Sequence, residues 1–330
     1  MTDLSPIVKR CAGLDIHRKI IVATILCEEP EGTLKEETRE FGVFRKHRRE
    51  LTRWLQSNGI DQTVMESTGV YHKCIYKELE KAGLAIQLVN ARYVKQVPGR
   101  KTDVKDSQWL ASLARFGLLK SSFVPPVDLR EIRLITRYRM KQQGMLASEK
   151  NRLHKVLDDS GIRLGTVVSD INGVSAKRMI AGLIEGKPLK ELVELAKGRL
   201  KEKSQALEES LEGELSIQHR FLLKQIQAHI DYLEKEVANL DQHLTDAMKS
   251  YQSQIELLQT VPGIQETSAR TVIAEIGVDM SQFGSAEKLA SWAGMCPGNN
   301  ESAGKKKVVQ GERVIPHSKG ASVRLLMPPG

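Results

Sequence analysis

The sequence predicts an α/β domain at the N-terminal end, a helical middle with a coiled-coil seam, and a small, mostly α C-terminal domain. Three observations carry this. Short β-rich runs alternate with helical periods up to Pro125-Pro126. Eight residues (Leu223, Ile226, Ile230, Leu233, Val237, Leu240, Leu244, Ala247) recur in alternating steps of three and four, the heptad spacing. Finally, Val261-Pro-Gly-Ile264 makes a short turn between two helical stretches.

Within residues 1–126, the runs 11–17 and 20–27 read as strands separated by the charged step Arg18-Lys19, with a third strand at 40–44. A helix over 46–57 has Leu51, Trp54 and Leu55 as its apolar stripe and stops at Asn58-Gly59. A strand at 63–66, a helix over 71–81 closed by Gly83, a strand at 85–89 and a helix over 104–116 follow. The result is a mixed sheet with helices.

Residues 127–252 form the helical linker and coiled coil. The stretch 129–157 is basic, with Arg133, Arg137, Lys141 and Arg152 among its cations. It is either a track for a nucleic-acid backbone or a solvated helix face. Helices are predicted near 176–184 and 189–197. The heptad seam after them fits a homo-oligomer, a dimer or tetramer, or one long helix packed within the chain.

Residues 253–307 form the C-terminal domain. Its Pro-Gly-Ile turn, with Gly263 at the centre, is helix-hairpin-helix-like, and such turns offer backbone N–H groups to a phosphate. A plain corner between helices is the alternative. Residues 292–304 read as a polar loop. Residues 308–330 show no helical period, end in Pro-Pro-Gly, and read as an atypical tail, truncated or frame-shifted.

Composition narrows the classes. The longest apolar run, 20–26, is far short of the roughly 18 residues of a membrane span, and no secretory signal is visible. A cytoplasmic protein is expected. Four scattered cysteines exclude a zinc ribbon, and no two of the eight histidines stand three or four residues apart as a helical metal pair would. A net charge of +9 suits a polyanionic partner.

Carboxylates supply the chemistry. Asp15 ends an apolar strand, where a carboxylate is costly unless it is paired or bound to a cation. Glu66 ends a later strand. Asp103 and Asp106, spaced i, i+3 at a helix start, face one side of its first turn. Together the four would repel without cations, and two Mg²⁺ ions roughly 3.5–4 Å apart would make a phosphodiester-cutting site. Singly, Asp103 also reads as an N-cap, Asp106 as a first-turn acid and Glu66 as a loop carboxylate.

The order Gly-Leu-Asp15, Met-Glu66-Ser-Thr-Gly, Lys101-Thr-Asp103-Val-Lys-Asp106 resembles the RuvC-like Asp-Glu-Asp-Asp insertion-sequence transposases. Leu289-Ala-Ser-Trp-Ala-Gly-Met-Cys-Pro-Gly-Asn-Asn-Glu-Ser302-Ala-Gly-Lys resembles the second half of that family's signature. The resemblance implies an RNase H-like (RuvC-like) N-terminal domain and a C-terminal transposase domain. It implies Mg²⁺ on Asp15, Glu66, Asp103 and Asp106, with Ser302 as the nucleophile. It also implies DNA partners, namely element ends and target, and a structured guide RNA.

A serine hydroxyl needs activation by a base or a metal. Small residues surround Ser302, so a DNA backbone has room to approach, and Lys305, Lys306 and Lys307 attract phosphate. Two alternatives remain open: a structure-selective RuvC-like nuclease using metals only, and an inactive nucleic-acid-binding remnant.

Overall fold

Strands β1 (Arg10–Ile16), β2 (Ile20–Glu28) and β3 (Leu34–Gly42) run antiparallel in sequence order. After helix α1 (Arg45–Ser57), β4 (Gln62–Glu66) pairs with β1 in parallel. After α2 (His72–Lys81), β5 (Ile86–Val89) pairs in parallel with β4, giving the order β3-β2-β1-β4-β5. Short α3 (Ala91–Gln96) and then α4 (Asp106–Arg115) follow. These coordinates are a computed structural model that describes residues 5–67, 69–97, 105–294, 301–302 and 305–306.

Helices cover both faces. Ala12, Leu14, Ile16 and Met65 pack with Leu51, Leu55, Ile75 and Leu79 of α1 and α2. On the other face Cys11, Leu26 and Val64 pack with Leu110, Ala111 and Ala114 of α4. Burial on both faces explains why β1 and β2 read as continuous apolar runs rather than alternating ones. Three antiparallel strands, two parallel ones and helices on both faces make the RNase H-like arrangement that the resemblance implied.

The third strand lies earlier than residues 40–44. It starts at Leu34, and its run Lys35-Glu36-Glu37-Thr38-Arg39-Glu40 carries no apolar signal. Only pairing with β2 reveals it, and its charges suit a sheet edge.

Contacts divide the chain into two units, residues 1–124 and 125–330. The second is built on α5 (Val127–Asp159) and α9 (Ile217–Ala247), with α6 (Val174–Glu185), α7 (Leu189–Glu194) and α8 (Ser204–Leu211) between them. Ser216 caps α9: its Oγ accepts the His219 backbone N–H at 3.2 Å, while His219 Nδ1 accepts the Ser216 N–H at 3.3 Å. One cluster joins Leu146, Leu153 and Leu157 of α5 to Leu223, Ile226, Ile230 and Leu233 of α9. Another joins Leu129 and Ile132 of α5 to Leu244 and Met248 near the other end of α9. The two helices therefore run antiparallel.

This corrects the use of the heptad seam as evidence for a partner chain. α9 is one 31-residue helix, as its spacing predicts. Much of its seam, however, packs in clusters with α5 of the same chain: Leu223, Ile226, Ile230, Leu233 and Leu244 are buried there. The reason is visible along α5, whose inward face carries the polar residues Thr136, Gln142 and Glu149 among its leucines. Between the clusters, Arg139 clasps the Asp241 carboxylate, with its second nitrogen 2.8 Å from Oδ2. A polar pair flanking the seam favours one register of the two helices.

Removing a fully buried seam residue tests this. Ile230→Ala should destabilise the second unit by about 3 kcal/mol in chemical denaturation. Light scattering should give an unchanged particle mass. A lowered mass without loss of stability would restore the seam as a subunit interface.

Candidate active site

Side chains alternate along a strand. On β1, Ala12, Leu14 and Ile16 enter the core beneath α1 and α2, so Cys11, Gly13 and Asp15 turn toward α4. On β4, Met65 joins the first core and Val64 the second, so Glu66 shares the α4 side. Leu14 pairs with Met65 in the parallel ladder. One step further along both strands, Asp15 and Glu66 stand side by side on one face.

Helix α4 descends onto that face at Gly13. A Cβ there would lie 2.1 Å from the Ser107 carbonyl oxygen and 2.5 Å from the Ala111 nitrogen. Only glycine admits this approach. Cys11 Sγ donates to the Ala111 carbonyl at 3.3 Å, so α4 runs antiparallel to β1, and its N-terminus lies toward Asp15. Burial pushes the Cys11 thiol up to about 12, which leaves it a packing group rather than a nucleophile.

Polar contacts hold the start of α4. Ser107 is fully buried, and its hydroxyl bonds that of Thr24 at 2.8 Å, which in turn bonds Thr38 at 2.9 Å. The Gln108 amide donates to Glu36, and its oxygen accepts the Lys105 backbone N–H at 3.3 Å. Asp106, the first helical residue, is exposed beside this anchored Ser107. The helix starts at Asp106 with Lys105 as its N-cap. Asp103 itself lies outside the described residues. Among the described residues, no group of three or more His, Cys, Asp or Glu side chains is arranged to hold a metal ion.

Gly13, Thr24 and Ser107 escaped the sequence reading, as did His17, whose Nε2 lies 2.9 Å from Asp15 Oδ2. Glycine inside an apolar strand is a legible sign of close backbone approach. The hydroxyl pair gave no local sign, because its partners are 83 residues apart.

In the second unit the basic stretch divides. Arg137 grips Glu275 through two bonds of 2.8 Å, and Arg133 donates to the Ala274 carbonyl at 3.1 Å and to the Glu275 carbonyl. These guanidiniums fasten α5 to α11 (Glu266–Ile276), which follows α10 (Gln252–Gln259). Burial lowers the Arg133 pKa, while the Glu275 hydrogen bonds raise that of Arg137. Lys141 is exposed, and Arg152 donates to Glu149 with most of its side chain in solvent.

Gly263 takes φ +86° in the turn between α10 and α11. The left-handed conformation there explains the glycine. After α12 (Ala286–Trp292), two-residue strands β6 (Glu301–Ser302) and β7 (Lys305–Lys306) pair antiparallel, with Ser302 opposite Lys305 and Glu301 opposite Lys306. Lys307 lies outside the described residues. The polar-loop reading of 292–304 therefore gives way to a helix end and a strand at its borders.

Two family models match the chain in order. Residues 12–161 match the DEDD transposase model of IS110 elements, described as "Transposase". Residues 255–314 match the model described as "Transposase IS116/IS110/IS902 family". Thermus thermophilus RuvC is a similar solved structure, at 13% identity, covering 34% of this chain and 99% of that one, with a TM-score of 0.26. No curated protein matches significantly. An RNase H-like sheet followed by helices, carrying both matches in order, defines a transposase, an enzyme that recombines DNA. The chain belongs to the IS110 family of insertion-sequence transposases.

Two substitutions probe the framework. Gly13→Ala should lift α4 off the sheet, lower stability by about 2 kcal/mol and reduce DNA strand cleavage more than that loss explains. Denaturation measured alongside cleavage separates the two effects. Glu275→Ala strands two arginines and should cost the second unit about 3 kcal/mol by the same denaturation assay.

Proposed function

We propose that this transposase cuts and rejoins DNA through Ser302, with Mg²⁺ held by Asp15, Glu66, Asp103 and Asp106. The observation that carries the reading is the emergence of Asp15 and Glu66 side by side from adjacent parallel strands, beneath the start of α4. The donor set is all carboxylate oxygen, the chemistry that Mg²⁺ prefers. When bound, the metal supplies charge neutralisation at the transferring phosphoryl group.

Ser302 Oγ forms a bond to the scissile phosphorus as the bond to one deoxyribose oxygen breaks. The serine proton passes, through a base or water, to the departing sugar hydroxylate. The phosphoserine link retains the ester bond, so a second sugar hydroxyl can displace the serine and join a new strand. Pairing of Ser302 with Lys305 in the β6–β7 ladder keeps a cationic residue at the register position opposite the nucleophile. Lys306 and Lys307 add attraction for the backbone.

Residues 1–126 act as the catalytic domain, 127–252 as linker and rod, and 253–307 as the carrier of the serine. Lys141 and Arg152 contact nucleic-acid backbone, as does the turn at Gly263 through its main chain. Arg133 and Arg137, two cations sharing the single carboxylate of Glu275, leave a net positive charge near the same track. A structured guide RNA selects the DNA sites, and the reaction takes place in the cytoplasm. Copies assemble as a dimer or tetramer that brings serine and carboxylates together.

Ser302→Ala should abolish covalent protein–DNA product while DNA affinity changes less than about twofold, since many phosphate contacts dominate binding. Denaturing electrophoresis with labelled DNA, Mg²⁺ and guide RNA reads the linkage. Continued cutting by Ser302→Ala would favour the metal-only nuclease. Binding without cutting by the unaltered chain would favour the inactive remnant.

A further inference from the structure

We propose that His17 is a positioning residue for Asp15, holding one carboxylate oxygen so that the other is presented to a divalent cation. The inference rests on the reading of Asp15 as a metal ligand.

His17 Nε2 lies 2.9 Å from Asp15 Oδ2, a hydrogen-bond distance. Donation to a carboxylate assigns the ring proton to Nε2. The contact is local yet well anchored. The His17 backbone N–H donates to the Ile20 carbonyl at 2.9 Å, closing the tight turn between β1 and β2. Asp15 is fixed in the ladder opposite Val22. With both backbones held, the ring stays within reach of the carboxylate.

Exposure separates the two partners. The Asp15 side chain is 20% exposed and that of His17 is 56% exposed. The pair contributes little as a surface ion pair, because solvent screens it. Its value is directional. A free carboxylate rotates about its last torsion and offers either oxygen, and one fixed by an N–H donor offers a single oxygen in a fixed direction. Outer hydrogen bonds of this kind orient metal ligands and are worth roughly 10–100-fold in metal affinity.

The test uses the full chain and Mn²⁺ alone, with binding followed by calorimetry and by the electron paramagnetic resonance of free Mn²⁺. Asp15→Asn should lose the site. His17→Ala should weaken Mn²⁺ binding by about tenfold. His17→Gln, which keeps a side-chain N–H at similar reach, should recover most of that loss. DNA cleavage by His17→Ala should recover as Mn²⁺ is raised, whereas cleavage by Asp15→Asn should not. Removing a half-exposed ring leaves no core cavity, so melting temperatures should stay close together.

Wild-type Mn²⁺ affinity in His17→Ala beside lost affinity in Asp15→Asn would overturn the positioning role and leave the metal reading intact. Equal weakening in His17→Ala and His17→Gln would also overturn it, since the donor would then not matter. Wild-type affinity in Asp15→Asn would remove the metal reading at this residue, and the proposal with it.

Discussion

At Gly13 the sheet has no side chain, and the backbone of α4 occupies the space that one would fill. Everything proposed for the catalytic face depends on that approach. Because the helix sits directly on β1, its first residue lies toward the end of the strand where Asp15 emerges. Were the sheet to carry even a methyl group there, α4 would stand off, and its start would move away from both strand carboxylates. The Thr38–Thr24–Ser107 hydroxyl chain adds the second coordinate. Fully buried hydroxyls must find partners, so Ser107 cannot slide along the sheet without losing Thr24.

The second unit obeys a related rule with charge in place of sterics. Its long helices carry charged residues that are met by partners from other helices. Asp241 meets Arg139, and Glu275 meets Arg133 and Arg137. Lys177 of α6 bridges Asp231 and Glu234 of α9, and Lys150 of α5 reaches Glu234 from the other side. Glu275 is the buried member, and a buried ion pair of that kind is weak evidence for stability by itself; the half-exposed pairs add little beyond it. Together these pairs give part of the positive charge that composition assigns to nucleic acid a second, structural task.

Strong local patterns made much of this legible in the sequence. The apolar runs of β1 and β2, the stripe of α1 and the heptads of α9 each announce themselves within a dozen or so residues. The aspartate and glutamate at strand ends were visible for the same reason, since a carboxylate beside continuous apolar sequence stands out. Other features lay beyond reach because their cause is distant in the chain. β3 is polar from Lys35 to Glu40 and is revealed by its ladder to β2. α5 hides its role as partner of α9 behind Thr136, Gln142 and Glu149. The basic stretch looked uniform, yet Glu275, more than a hundred residues downstream, decides which of its arginines face inward.

The pairing of α5 with α9 also constrains how related chains can differ in length. Each helix advances 100° per residue, so one residue inserted between the two clusters would turn everything beyond it off the partner helix. Two turns, close to seven residues, return the apolar face to register. The loss of alignment would be felt at both ends at once, since Leu129 and Ile132 meet one end of α9 while Leu153 and Leu157 meet the other. Insertions and deletions here are therefore quantised: α5 and α9 must lengthen or shorten together, in steps of about seven residues.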